Sequence, residues 1–102
     1  MCIFCDLQKE HKTTIVQNEL SYAVYDIYPD APGHMVIIPK RCIETMFLAK
    51  GEEWASVGEL INLAKAEIEK THKPKGYKII ANCGAAAGQT VFHAHVHLLP
   101  KY

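Results

Sequence analysis

Histidines and apolar residues alternate from His93 to Leu98, inside the stretch Val91-Phe92-His93-Ala94-His95-Val96-His97-Leu98-Leu99. A period of two belongs to a β-strand, so His93, His95 and His97 share one face while Ala94, Val96 and Leu98 share the other. Such a strand buries its apolar face in a core and presents three of the chain's six histidines on the opposite side. Imidazole titrates near neutral pH and serves as nucleophile, proton carrier or metal ligand. His93 and His97 stand about 13 Å apart along a strand, too far for all three rings to share one small ion. Spacing alone leaves two chemistries open: a metal site using one or two of the rings, or nucleophilic catalysis with neighbouring rings assisting. Three rings in phase are too costly to desolvate for a merely decorative face.

The remaining residues supply partners for this strand. Residues 13–17 and 20–27 are rich in β-branched and aromatic side chains and are separated by Asn18 and Glu19, which suits a tight antiparallel hairpin. The turn formers Pro29, Asp30, Pro32 and Gly33 precede a third apolar run, HMVIIP, over 34–39. Trp54, Val57, Ile61, Ala64 and Ile68 then recur at helical spacing and predict one amphipathic helix over about 52–71. A fourth strand, YKIIANC, covers 77–83, and the loop GAAAGQ leads from it into the histidine strand as a wide hairpin over 77–98. Strands, helix, strands is the order of an α+β domain, a mostly antiparallel sheet with a helix on one face. At 102 residues the chain is a single domain, 1–102, near the lower limit for a self-sufficient core, which favours a homodimer.

Charge narrows the function. Eleven basic and eleven acidic residues cancel, so no global field draws nucleic acid or a membrane surface, and any phosphate is held locally. The N-terminal residues have neither a basic region nor a long apolar one, and no stretch approaches the ~20 apolar residues of a membrane span; a soluble, cytoplasmic protein is expected. The four cysteines are then expected as thiols or metal ligands rather than disulfides. In the loop, Gly84 and Gly88 flank three alanines, so short side chains let backbone N–H groups approach an anion. Gln89 and Thr90, with Asn82 on the partner strand, offer side-chain donors beside it.

The segment NCGAAAGQTVFHAHVHLLP resembles the signature of the histidine triad (HIT) family, and YDIYPDAPGHMVIIPK upstream is similar to the family's second block. The likeness runs from CIFC to HLLPKY. It implies an α+β fold with a mostly antiparallel five-stranded sheet, one long helix and a short one, the sheet being extended across a homodimer. It also implies a nucleotide hydrolase or transferase acting on purine nucleoside monophosphate conjugates, with no organic cofactor. By the same resemblance His95 is the nucleophile, becoming a nucleotidyl-histidine that water hydrolyses, and its second ring nitrogen is held by a backbone carbonyl. His97 hydrogen-bonds the phosphate and assists proton transfer, with His93 and His34 as a supporting shell. Gly88, Gln89, Thr90, the N–H of Val91 and Asn82 hold the phosphate side. Asp26 receives the ribose hydroxyls, and Ile27, Ile3, Phe4 and Leu7 enclose the base. The sequence closes at Tyr102, soon after the triad, which implies an open, unselective leaving-group side.

Cys2 and Cys5 have the spacing of half a zinc site, which some members of the family complete with two histidines. Here the first of those histidines is replaced by Cys42, in PKRC, while His93 stands for the second, so the implied structural zinc set is Cys2, Cys5, Cys42 and His93. The resemblance also implies that Cys42 removes a histidine other members use in a hydrogen-bond relay behind the nucleophile, a relay that is shortened if no metal is bound. Cys83 lies outside the set as a small core filler. Two rival readings are a nucleotide-binding interaction module with little turnover and a small zinc-binding protein without phosphate chemistry.

Overall fold

Asn18 turns the first hairpin by accepting hydrogen bonds at Oδ1 from the Leu20 and Ser21 amides (3.2 and 2.9 Å), so that β1 (Thr14–Gln17) and β2 (Ser21–Tyr25) run antiparallel. In this computed structural model, which describes residues 14–102, they continue into β3 (Met35–Pro39), a long helix α1 (Gly51–Ile68), β4 (Gly76–Ile80) and β5 (Val96–Lys101). The five strands form one antiparallel sheet in the order β1-β2-β3-β5-β4. The helix carries the chain from β3 to the far edge, and β5 fills the slot left between β3 and β4. Besides α1, the helical turns among the described residues are short 3-10 turns at Met46–Leu48 and Ala85–Ala87.

Alternation along the strands sorts the two faces. Ala23, Met35, Ile37, Val96 and Leu98 are buried in one core with Val57, Leu60, Ala64 and Ile68 of the helix. Tyr22, Val24, Val36 and Ile38 form a second buried cluster on the face away from the helix. In register, Val24 pairs with Val36, Val36 with His97, and His97 with Ile80, so one row of side chains crosses the sheet on that second face and includes a histidine.

Three expectations need correction. The ladder begins at Val96, so only His97 of the three histidines lies in the strand. Ile37 pairs with Val96, which would set Pro39 against Ala94, and proline has no N–H to donate. Instead the Ala94 amide donates to the Ile43 carbonyl at 2.7 Å, and the His93 carbonyl accepts from the ring of His95. The connection from β4 accordingly spans residues 81–95, longer than the GAAAGQ turn. The buried stripe of α1 is also rotated: Trp54 is 49% exposed while Glu53, Ser56 and Leu60 are buried. Polar partners pull this stripe inward. Glu53 accepts from the Lys50 amide at the helix start (2.8 Å) and from Arg41 through two bonds (2.7 and 3.1 Å), and the Ser56 hydroxyl bonds Asn18 and Ser21. The helix ends at Ile68, where the Thr71 and His72 amides both turn back to its carbonyl.

Candidate active site

The row Val24–Val36–His97 floors a cavity of about 270 Å³ on the helix-free face. His95 and His97 stand in it with ring centroids 5.0 Å apart, and Asp26, Thr90 and Val91 line its walls. His95 Nδ1 lies 2.7 Å from the His93 carbonyl oxygen. A carbonyl can only accept, so Nδ1 carries the proton and Nε2 carries the lone pair. This is the tautomer of a ring whose Nε2 attacks an electrophile.

A second chain of hydrogen bonds fixes His97. The Asp30 amide donates to His34 Nδ1 at 3.1 Å, and His34 Nε2 is 3.0 Å from His97 Nδ1. A backbone N–H can only donate, so the proton of neutral His34 sits on Nε2 and is given to His97 Nδ1. His97 then bears its own proton on Nε2. The Asp26 carboxylate, oriented by the Tyr28 amide at 2.9 Å, lies 3.6 Å from the His34 nitrogen and 3.7 Å from the His97 one. Burial holds the His97 pKa below the ordinary imidazole value, with His95 and His34 acting in the same direction against the opposing pull of Asp26 and Asp30. His93 is buried behind, donating Nε2–H to the Pro39 carbonyl at 2.8 Å, and burial likewise lowers its pKa, helped by His95.

Asp26, His34 and His97 each place a ligand atom within 4.8 Å of the others, the one such group among the described residues. The Asp30 bond argues against an ion there. A metal on His34 Nε2 would move the proton to Nδ1, where it would face the Asp30 N–H at 3.1 Å, donor against donor.

The structure brings His95, His97, Asp26, Ile27, Thr90 and Val91 together around the cavity. Asn82, Gly88 and Gln89, expected on the phosphate side, are not among its lining residues. Gly88 gives its N–H to the Ala85 carbonyl, within a turn that Gly84 and Gly88 make possible by adopting φ of 96° and 94°. Gln89 is 4% exposed, and its amide is spent on the protein: Oε1 accepts from the Gly84 amide, and Nε2 donates to the carbonyls of Glu44 and Val91. Ile3, Phe4, Leu7, Cys2 and Cys5 lie outside the described residues, and Cys42 is exposed. Sequence reasoning missed Val24, Tyr25, Tyr28 and Val36 as lining residues. Val24 and Val36 read as ordinary apolar strand residues, and only the pairing of Val36 with His97 reveals that this face borders a cavity.

A family model, the HIT domain, matches residues 8–102. The chain belongs to the HIT family. An uncharacterized HIT-like protein of Mycoplasma genitalium is 38% identical over 103 residues, covering 99% of this chain and 73% of the relative. A solved structure of a hypothetical histidine triad nucleotide-binding protein from Sulfolobus tokodaii superposes with a TM-score of 0.91 at 30% identity, covering 99% of this HIT chain and 69% of the other. A HIT family hydrolase from Clostridium thermocellum has a TM-score of 0.83 at 36% identity, covering 99% and 90% respectively. No helix of this HIT protein among the described residues is long and apolar enough to cross a membrane.

Proposed function

We propose that this HIT protein hydrolyses a P–N or P–O bond at a nucleoside 5′-monophosphoryl group through a nucleotidyl-His95 intermediate. The observation that carries the reading is the 2.7 Å bond from His95 Nδ1 to the His93 carbonyl, which puts the lone pair on Nε2 beside His97. Membership of a family of nucleotide hydrolases and transferases supports it, as does the description of one relative as a hydrolase and another as nucleotide-binding.

In the first step the His95 Nε2 lone pair bonds to the α-phosphorus while the bond to the leaving group breaks. An amine leaves only if its nitrogen gains a proton. The His34–His97 pair supplies it in its protonated form, in which the added proton sits on His97 Nδ1 and both facing N–H groups turn to the Asp26 carboxylate 3.6 and 3.7 Å away. His97 Nε2–H passes to the leaving nitrogen. In the second step His97 Nε2 takes a proton from water, the water oxygen bonds to phosphorus, and the bond to His95 Nε2 breaks, restoring the starting state. The Thr90–Val91 peptide is the donor for the phosphate oxygens, and Asp26 is the acceptor for ribose. Asp26 is the one formally charged side chain among the described lining residues besides the titratable histidines, and no lysine or arginine is among them. That favours neutral or cationic leaving groups over a second nucleotide.

Incubating the protein with a purine nucleoside phosphoramidate is expected to release the monophosphate, with an adduct of one nucleotidyl group detectable by intact mass. His95→Ala abolishes both. Turnover persisting in that variant removes the nucleophile assignment.

A structural zinc held by Cys2, Cys5, Cys42 and His93 is proposed alongside. The His93 ring gives its Nε2–H to the Pro39 carbonyl, and such an outer hydrogen bond to a backbone carbonyl is the usual support for a metal-bound imidazole. Bound there, zinc would tie the CxxC segment to the stretch after β3 and take no part in the chemistry. Elemental analysis of untagged protein should find about one zinc per chain, and Cys42→Ala should lower it. Zinc-free protein with full activity excludes the site.

The sheet is also proposed to continue into a homodimer through β4, an edge strand whose Ile79 is 61% exposed.

A further inference from the structure

We propose that Gln89 is a positioning residue, whose buried side-chain amide staples the loop over residues 84–91 and so sets the Thr90–Val91 peptide against the substrate's phosphate; this rests on the nucleotide reading above. Three bonds carry the inference. Oε1 accepts from the Gly84 amide at 2.7 Å, and Nε2 donates one hydrogen to the Val91 carbonyl at 2.9 Å and the other to the Glu44 carbonyl at 2.6 Å. One side chain thus joins the two ends of the loop and ties both to the segment that precedes α1. The orientation of the amide is dictated by its partners, since a backbone N–H demands the oxygen and two carbonyls demand the nitrogen.

Among the described residues the loop has few other anchors. Ala85, Ala86, Ala87, Gly88 and Thr90 are exposed, and the backbone bonds of residues 87–89 run back to Gly84 and Ala85 within the turn itself. Glu44 lies three residues after Arg41, which grips Glu53 at the helix start, so the staple refers the phosphate donors to the segment that leads into α1. A donor displaced by about 1 Å costs on the order of 100-fold in rate, so a loop end anchored in this way acts on catalysis without touching substrate.

The test compares the unmodified protein with Gln89→Glu and Gln89→Met, measuring binding of adenosine and of AMP together with kcat and KM for the phosphoramidate. Gln89→Glu keeps the acceptor for Gly84 but turns an oxygen toward two carbonyls, and Gln89→Met removes all three bonds at similar volume. Adenosine affinity is expected to stay within about twofold, whereas AMP affinity falls at least about tenfold and kcat falls on the order of 100-fold. AMP affinity and kcat unchanged in both variants would overturn the proposal, and so would equal losses for adenosine and AMP. Failure of the unmodified protein to bind either ligand would instead defeat the nucleotide reading. Should neither variant fold, amide exchange in the unmodified protein decides: the Gly84 amide is expected to exchange far more slowly than that of Ala86, and equal rates refute the staple.

Discussion

At the scale of single residues, the site is governed by which nitrogen carries which proton. The His93 carbonyl and the Asp30 amide are one-way partners, an acceptor and a donor, and between them they assign His95, His34 and His97 without reference to any ligand. Expelling an amine requires the protonated form of the His34–His97 pair. Burial lowers the His97 pKa, which disfavours a proton on that ring, and the protonated form shrinks as pH rises. An aryl ester, whose leaving group needs no proton, provides the control. The ratio of kcat/KM for a phosphoramidate to that for an aryl ester should rise as pH is lowered from about 8 to about 6, and Asp26→Asn should depress the ratio throughout. A ratio independent of pH would show that His97 donates no proton to the leaving group.

At the scale of elements, the start of α1 joins helix to site. Lys50 at the N-cap position has no side-chain oxygen, and Glu53 compensates by accepting from the Lys50 amide while Arg41 holds both of its oxygens. The Arg41 hydrogen bonds hold the Glu53 carboxyl below the usual carboxylate range. Its folded pKa being depressed, the stabilisation is complete above the ordinary glutamate value of about 4.3 and is lost as pH falls through the lower folded value. Glu53→Ala should cost about 1–2 kcal/mol in urea unfolding at neutral pH, with the difference from the unmodified protein shrinking in acid. An equal loss at neutral and acid pH would mean that packing, rather than the carboxylate, supports the helix start.

At the scale of the molecule, β4 leaves an edge. Ile79 pairs with Leu98 and so lies on the helix side of the sheet, but α1 covers the inner strands and leaves Ile79 61% exposed. Pairing this edge with a second copy would cover it and continue the sheet. Light scattering should then give twice the chain mass for the unmodified protein and the chain mass for Ile79→Lys. A monomer in both cases rules out assembly through β4. The CxxC segment precedes the described residues, so its link to Cys42 and His93 belongs to the zinc measurement.

Periodicity alone determined much of this protein. A period of two in VFHAHVHLL, apolar runs at 20–27 and 34–39 and a helical period over 54–68 called for a sheet with one helix-packed face and put His97 on the other. The resemblance carried by HAHVHLL and GQT named the candidate nucleophile before any contact was visible. Tertiary structure decided what local pattern does not encode. The ladder starts at Val96, short of the position where the proline that ends β3 would face Ala94, whose amide goes to Ile43 instead. Gln89 faces inward because the donor at Gly84 and the carbonyls at Glu44 and Val91 need partners. Buried polar groups take whichever complementary partners the fold brings near, and those partners come from distant parts of the chain.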